Sequence, residues 1–399
     1  MKVAFFHDAP LIRANDGVVY SLGFTYDIWE RYLSVFDSLV VSTRMTECNE
    51  PETFNRLGLS SGPGVVFSPV TSYSTRYAPV FNKRAIAGEI RSVLSRVDCA
   101  IVRLPSSIGR IACEEAIKMD KPYLVELVGC PWDSLWNHSW QGKLVAPLRY
   151  FSTKKRVRDA KYVVYVTHHF LQERYPTKGK WISCSNVTLD EFDEKILERR
   201  IAKIQNKSDK EAIILGTTGA VHVKYKGQQY VIKALARLKK KGLGNFRYQL
   251  VGGGDQSYLK SVAQRYGVSE QVEFVGKISH QEVFEWLDEI DVYIQPSETE
   301  GLPRALIEAM SRGLPCLGSR AGGIPELLEE KCLFGKTRRN VDEIVELLEG
   351  LTKDSMKKQA RLNFEESKKY DKEVLEHQRR QFLKHFRKTI VNNDQQVLR

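Results

Sequence analysis

Two glutamates, Glu300 and Glu308, stand with seven residues between them in the run Ile294-Gln-Pro-Ser-Glu-Thr-Glu-Gly-Leu-Pro-Arg-Ala-Leu-Ile-Glu-Ala-Met. The apolar residues Val292, Tyr293 and Ile294 give way to Gln-Pro-Ser, which predicts a strand followed by a loop. Pro303 suits the first position of a helix that stops near Gly313, before Pro315. Glu300 then lies in the strand-to-helix loop and Glu308 inside the helix. Gly301 and Leu302 leave backbone N–H groups at the helix entry, where the positive end of the macrodipole favours an anion such as phosphate. Carboxylates on either side of that entry could grip hydroxyls flanking a diphosphate, which is what a nucleotide sugar presents. The plain alternative is a loop charge at Glu300 and a helix pair between Glu308 and Arg304, worth about 0.2–0.5 kcal/mol.

Other residues could contribute to such a site. Lys226-Gly227 opens a helix after Thr217-Thr218-Gly219, and Gly252-Gly253-Gly254 directly follows a strand. Neither the triplet nor its surroundings form the dinucleotide fingerprint G-x-G-x-x-G with its later acid. Phe274-Val275-Gly276-Lys277-Ile278-Ser279 reads as a strand-to-helix turn. Near the start, Gly17 follows Asn15-Asp16 in the loop after the first strand, where a glycine lets backbone approach a ligand. Asp133 and His138 are candidates to face a second substrate or to stabilise a loop, and Trp132, Trp136 and Trp140 could stack on a ring or fill local core.

These residues need rigid elements to hold them. Candidate strands are Val3–Phe6, Leu39–Ser42, Val65–Phe67, Ala100–Val102, Tyr123–Val128, Tyr162–Val166 and Trp181–Cys184, with helical stretches such as Asn82–Leu94 and Ile108–Lys118 between them. The alternation restarts at Ala212–Gly216 and continues through Tyr248–Val251, Val272–Val275, Val292–Ile294, Cys316–Leu317 and Cys332–Phe334. Strand and helix in alternation predict an α/β fold with parallel sheets covered on both faces. A chain of 399 residues favours two domains. The expected division is a Rossmann-like domain over 1–188, a linker over 189–210 where charged and polar residues replace β signal, a second Rossmann-like domain over 211–370, and a C-terminal helix with a frayed tail over 371–399. In open sheets of this kind ligands sit beyond the carboxyl ends of the strands.

The spacing Glu300-x7-Glu308, with Gly-Leu-Pro, Glu-Ala-Met and the downstream Ala321-Gly322-Gly323-Ile324-Pro325-Glu326, resembles the signature of retaining glycosyltransferase family 4. The resemblance implies a GT-B fold, in which two Rossmann-like domains face each other across a cleft and the last helix crosses back to the first. It implies that Glu300 contacts the donor sugar, that Glu308 binds the ribose, and that Lys226 pairs with the donor diphosphate. It further implies donor contacts from the Gly301 and Leu302 amides, from Gly17 in the first loop, from the Gly-x-Gly of Gly252 and Gly254, and from backbone near Ile278 against the base. Two departures stand out. The family's arginine six residues before the lysine is Ala220 here, leaving Lys224 or His222 to supply charge, and Val128 stands near the position of an expected first-domain histidine.

Composition narrows the function classes. No apolar run approaches the roughly 20 residues that span a bilayer, no signal-peptide pattern opens the chain, and seven scattered cysteines lack any C-x-x-C pair. A cytoplasmic protein is expected, working at the inner membrane face. The net charge of +12 invites an anionic partner. Nucleic acid is not expected, for no helix-turn-helix, zinc finger or RNP-like strand accompanies the charge. Residues 144–158 mix cations with Leu, Tyr and Phe, as an interfacial helix on anionic lipid would, and as a helix with a solvated basic face also would. No D-x-D motif marks a metal site, so no metal or other cofactor is expected. The expectation is a metal-independent hexosyltransferase moving sugar from a nucleoside diphosphate donor, UDP in preference to GDP, to a glycan or lipid-linked acceptor in surface polysaccharide or glycolipid synthesis. Its rivals are a UDP-sugar epimerase of similar shape and a non-catalytic transferase partner.

Overall fold

Short runs of Val, Ile, Leu and aromatic residues build two parallel sheets. The computed structural model describes all residues except 49, 55–56, 72–81, 137–139, 191, 337–338 and 398–399. His138 therefore lies outside the described residues. The chain forms two units: the first takes Met1–Pro131, Pro147–Cys184 and Leu375–Arg399, and the second takes Trp132–Ala146 and Ser185–Val374.

Among the described residues, the strands of the first unit are β1 (Lys2–Arg13), β2 (Val19–Ser21), β3 (Ser38–Glu47), β4 (Gly58–Leu59), β5 (Val65–Phe67), β6 (Cys99–Leu104), β7 (Tyr123–Leu127), β8 (Tyr162–Tyr165) and β9 (Lys180–Ser183). Parallel pairing runs β5-β3-β1-β6-β7-β8-β9, and β2 and β4 add antiparallel at the far end of β1. Every residue of β6 is buried, as a strand covered on both faces requires. β1 is much longer than the expected Val3–Phe6. Its pairing with β3 shifts register between Phe6 and Pro10, and beyond the shift the strand stays parallel to β3 while also pairing antiparallel with β2.

The second unit holds β10 (Ile213–Thr218), β11 (Phe246–Val251), β12 (Val272–Gly276), β13 (Val292–Gln295), β14 (Cys316–Ser319) and β15 (Leu333–Phe334). They pair in parallel in the order β12-β11-β10-β13-β14-β15. This is the Rossmann order, reversing between β10 and β13, where ligands of such sheets collect.

The stretch 189–210, expected as a linker, carries the helix Glu194–Asn206. Arg200 of this helix is 3% exposed and donates to the carbonyls of Ile290 at 2.6 Å and Leu287 at 2.7 Å. Those carbonyls end the helix His280–Glu289, so a buried cation meets the negative end of a dipole. Burial lowers the Arg200 pKa to about 10, with neighbouring Asp288 and Asp291 opposing the shift.

The final helix, Lys372–Val397, belongs to the first unit from Leu375 onward, a few residues after the expected boundary. Tyr162 packs its ring 5.7 Å from Phe382 and 5.1 Å from Phe386, and its hydroxyl meets Thr389 Oγ1 at 2.7 Å. Arg379, 1% exposed, pairs with Glu376 at 2.7 Å, and Glu376 also receives Arg31. Beside them Glu126, buried in β7, accepts from Arg103 at 3.0 Å and from the Tyr32 hydroxyl at 2.9 Å. Buried carboxylates survive only with such donors. Burial and the nearby Arg103 charge lower the pKa of His7 to about 3.

Candidate functional site

The carboxyl ends of β10, β11, β12 and β13 in the second unit gather most of the residues singled out from the sequence. β13 ends in Gln295-Pro296-Ser297, and the loop beyond it leads to the helix Arg304–Ser311. Pro303, expected as the first helical residue, stands instead at the N-cap, with φ −76° and ψ 110°, and the helix begins one position later at Arg304. Its fixed φ and missing N–H cost nothing there. Glu308 is inside the helix, as expected, and is buried, and its partner differs from the Arg304 of the plain alternative. Its Oε1 lies 3.0 Å from Nε2 of His280, and Arg304 reaches instead toward the carbonyl of Asn186.

Glu300 meets Lys226. The Lys226 Nζ donates to Glu300 Oε1 at 2.7 Å, and Gln295 Nε2 donates to the same oxygen at 3.2 Å. Both partners are part-buried, 25% and 14% exposed at their side chains, so water screens the pair less than at an open surface. Gln295 is itself held. Its Nε2 also donates to Ser297 Oγ at 2.9 Å, and its Oε1 accepts the Tyr293 hydroxyl at 3.0 Å. Burial pushes the Tyr293 pKa far above its ordinary value, so that hydroxyl stays a donor, and it accepts the Thr218 N–H at 3.3 Å. A polar chain thus runs from the end of β10 through β13 to the carboxylate, fixing its direction.

Backbone close to glycine fixes the loop. Gly322 has φ +56°, and a Cβ placed on it would lie 2.0 Å from the Glu300 carbonyl oxygen. Its neighbour Gly323 donates to the Gly301 carbonyl at 2.8 Å. The Ala-Gly-Gly segment therefore sets the height of the Glu300 loop. Gly227, φ +76°, would likewise drive a Cβ into the Pro296 carbonyl at 1.9 Å. Lys226 is held against β13 in this way, at the end of the 3₁₀ turn Lys224–Lys226 and before the helix Gln228–Lys240.

The glycine triplet is packed between loops. A Cβ on Gly252 would meet the Gly219 carbonyl oxygen at 2.0 Å, and one on Gly254 would meet His222 Nδ1 at 2.0 Å. Gly252 donates to the Gly276 carbonyl at 2.8 Å, tying the ends of β11 and β12. Ile278 is half-buried, immediately before the Ser279 and Glu282 capping box that starts the helix His280–Glu289. Lys224 Nζ stands 4.6 Å from the centre of the Tyr258 ring, a cation–π contact that engages one of the two groups considered for the charge missing at Ala220. Gly301 and Leu302 are half-buried in the loop before Pro303.

Two further predicted positions are carried by other elements. Gly17, φ +84°, belongs to the first unit and donates to the Ala14 carbonyl at 2.9 Å in the turn joining β1 and β2, past the long continuation of the first strand. Asp133 is buried in the helix Pro131–Trp136. Trp132 and Trp136 stack at 5.0 Å, while Trp140 is 71% exposed and is not core. Sequence reasoning missed His280, Gln295 and Tyr293. The signal for His280 was present in Ser279-x-x-Glu282, a capping-box pattern that puts residue 280 at the first helical turn.

With this geometry in place, comparison with known proteins is informative. Residues 198–369 match the family model described as glycosyl transferases group 1. Protein CapJ of Staphylococcus aureus is 33% identical over 399 residues, covering 98% of this chain and 97% of CapJ. The amylovoran biosynthesis glycosyltransferase AmsK of Erwinia amylovora is 40% identical over 111 residues, 26% of this chain and 27% of AmsK. The crystal structure of Anabaena HepE in complex with UDP-glucose superposes with a TM-score of 0.61 at 16% identity, covering 96% of this chain and 99% of HepE. Two Rossmann-type parallel-sheet units, the site at the ends of β10 to β13 and these similarities lead to one assignment: the chain belongs to the glycosyl transferases group 1 family and is a hexosyltransferase-type enzyme of GT-B fold.

Proposed function

We propose that the enzyme transfers a sugar, with retention of anomeric configuration and without a metal, from a nucleoside diphosphate donor to a hydroxyl of a glycan or lipid-linked acceptor. UDP is the favoured nucleotide, and surface polysaccharide or glycolipid assembly at the inner membrane face is the setting. The observation that carries this reading is the meeting of Lys226 and Glu300 at the entry of the helix that bears Glu308. A cation for a diphosphate and two hydroxyl acceptors then surround one helix N-terminus.

In this reading an arriving diphosphate takes the Lys226 ammonium and the helix-entry amides, and Glu300 turns its freed oxygen to a sugar hydroxyl. Glu308, steadied by His280, accepts from the ribose. As the bond from the anomeric carbon to the phosphate oxygen breaks, charge grows on the diphosphate and these preset donors stabilise it. The acceptor oxygen bonds the same face of that carbon and passes its proton to the departing phosphate oxygen. The UDP-glucose named in the HepE structure supports a UDP-sugar donor, and the AmsK name supports polysaccharide synthesis.

The test is a thermal-shift screen against UDP, GDP, ADP and a panel of UDP-sugars, since a ligand at a hundred times its dissociation constant adds about 2.7 kcal/mol to the folded state. We expect a shift with one nucleotide, reduced in Glu308→Ala, and release of UDP on turnover. No shift with any nucleotide overturns the reading. Conversion of the donor to another UDP-sugar without release of UDP identifies an epimerase instead.

A further inference from the structure

Between β13 and Glu300 the chain reads Pro296-Ser297-Glu298-Thr299, and the segment that carries Lys226 engages Glu298. The Tyr230 hydroxyl, in the first turn of the helix Gln228–Lys240, donates to Glu298 Oε1 at 2.5 Å. The Glu298 N–H donates to the Tyr225 carbonyl at 2.7 Å, inside the 3₁₀ turn Lys224–Lys226. One residue of the loop is thus fastened twice, on either side of Lys226. A hydroxyl donating to a carboxylate makes a short bond, about twice as strong as a neutral one. Burial, and then the carboxylate itself, push the Tyr230 pKa up to about 12, so the hydroxyl keeps its proton and stays the donor. Ser297, fully buried, anchors the start of the loop, its carbonyl accepting the Ser319 hydroxyl of β14.

We propose that Tyr230 and Glu298 are positioning residues for the transfer: their bridge keeps the loop bearing Glu300 and the turn bearing Lys226 at a fixed spacing when those two groups part to grip the donor. The inference rests on the proposed reaction, in which the direct contact is temporary. An arriving diphosphate draws the Lys226 ammonium off the carboxylate, and loop and turn lose the 2.7 Å pair that joined them. The ties at Glu298 use other atoms, so they hold both main chains while the Lys226 and Glu300 side chains turn. Neither Tyr230 nor Glu298 needs to touch the donor. Their loss should spare binding, which Lys226, Glu308 and the helix-entry amides still supply, and should slow the chemical step, where a misplacement of about 1 Å costs on the order of a hundredfold.

The experiment compares the whole enzyme with Tyr230→Phe, Glu298→Ala and Glu298→Gln, by steady-state kinetics on a UDP-sugar and by hydrogen exchange without ligand. Tyr230→Phe and Glu298→Ala should lower kcat by about ten- to a hundredfold, with KM within about threefold of wild type. The same two variants should speed exchange of the amides of residues 299–302 by about tenfold or more. Glu298→Gln, which keeps an oxygen for the Tyr230 hydroxyl, should recover most of both losses. A lower melting temperature with unchanged kcat per folded enzyme would show a role in folding alone and overturns the proposal. So does exchange over 299–302 that Tyr230→Phe leaves as in wild type. Equal losses in Glu298→Gln and Glu298→Ala also overturn it, since Glu298 would then act through its charge. Exchange is read without donor and so judges the bridge by itself. A wild type that neither shifts with nor turns over any nucleotide sugar sinks the donor reading alone.

Discussion

Gly322→Ala offers a measurement whose size follows from backbone geometry. At φ +56° an alanine costs about 1–2 kcal/mol wherever it sits. At roughly 2–4 °C per kcal/mol for a body of this size, that alone lowers the melting temperature by about 2–8 °C. Gly242 isolates this cost, for it has φ +79° and no atom within 4 Å of its would-be Cβ. Gly322 adds a collision. Its Cβ would lie 2.0 Å from the Glu300 carbonyl oxygen, and real Cβ atoms essentially never approach within 3.0 Å, so the Glu300 loop must retreat by about 1 Å. A displacement of that size at a group proposed to orient the sugar costs on the order of a hundredfold in rate. Steady-state kinetics on a UDP-sugar donor should therefore show Gly242→Ala close to wild type in kcat/KM and Gly322→Ala down by about two orders of magnitude. If both variants lose similar stability and Gly322→Ala stays within about threefold of Gly242→Ala in kcat/KM, the idea that the glycine pair sets the Glu300 loop is wrong.

Lys226→Ala and Glu300→Ala should each lower kcat/KM by about 10²–10³-fold. The double variant should fall by much less than the product of the two, since the groups contact each other and, in the proposed reaction, act on one donor; strict additivity in the double-mutant cycle would show that their 2.7 Å contact has no functional meaning. Arg200→Met leaves buried carbonyls at the end of the helix His280–Glu289 without their charged donor and should destabilise by about 2–4 kcal/mol, read as a lower urea midpoint with unchanged slope. His7 has its pKa held down to about 3 in the fold, against about 6.5 in an unfolded chain. Below about pH 6.5 the unfolded chain takes a proton that the folded chain refuses, so stability falls with pH by about 1.4 kcal/mol per unit toward pH 3. The melting temperature of His7→Gln should consequently drop less than that of wild type between about pH 6 and pH 4, and parallel curves would refute the assignment.

The centre of the second unit was legible where its strands are buried on both faces and read as apolar runs. β13 and β14, entirely buried, begin where their apolar residues do. Glu300 and Glu308 were legible for the same reason, since a strand, a Gly-Leu-Pro turn and a helix with a stop signal bracket them. The rest of β1 was not, because His7-Asp8-Ala9-Pro10 breaks the apolar pattern at the register shift. The helix Glu194–Asn206 reads as linker because its Glu, Lys and Arg residues, strong helix formers, carry little hydrophobic signal, and its anchor is a buried arginine. The pairing of His280 with Glu308 spans 28 residues and depends on where two helices come together, which local pattern does not encode.

The order in which the two units claim the chain bears on how the protein can be cut. The polypeptide passes between them four times, at Pro131, Ala146, Cys184 and Val374. No single truncation isolates either unit from the other. Removing the tail after Val374 leaves the second unit with every residue it owns and strips the first of Arg379, Phe382 and Phe386, exposing Tyr162, taking the Arg379 charge from the vicinity of Glu126 and removing the Arg387 that reaches the Val35 carbonyl. A protease nick near the C-terminus would thus be felt at the opposite end of the sequence, in the sheet begun by Lys2, and expression of the second unit alone would call for splicing residues 132–146 to 185–374 rather than trimming the ends.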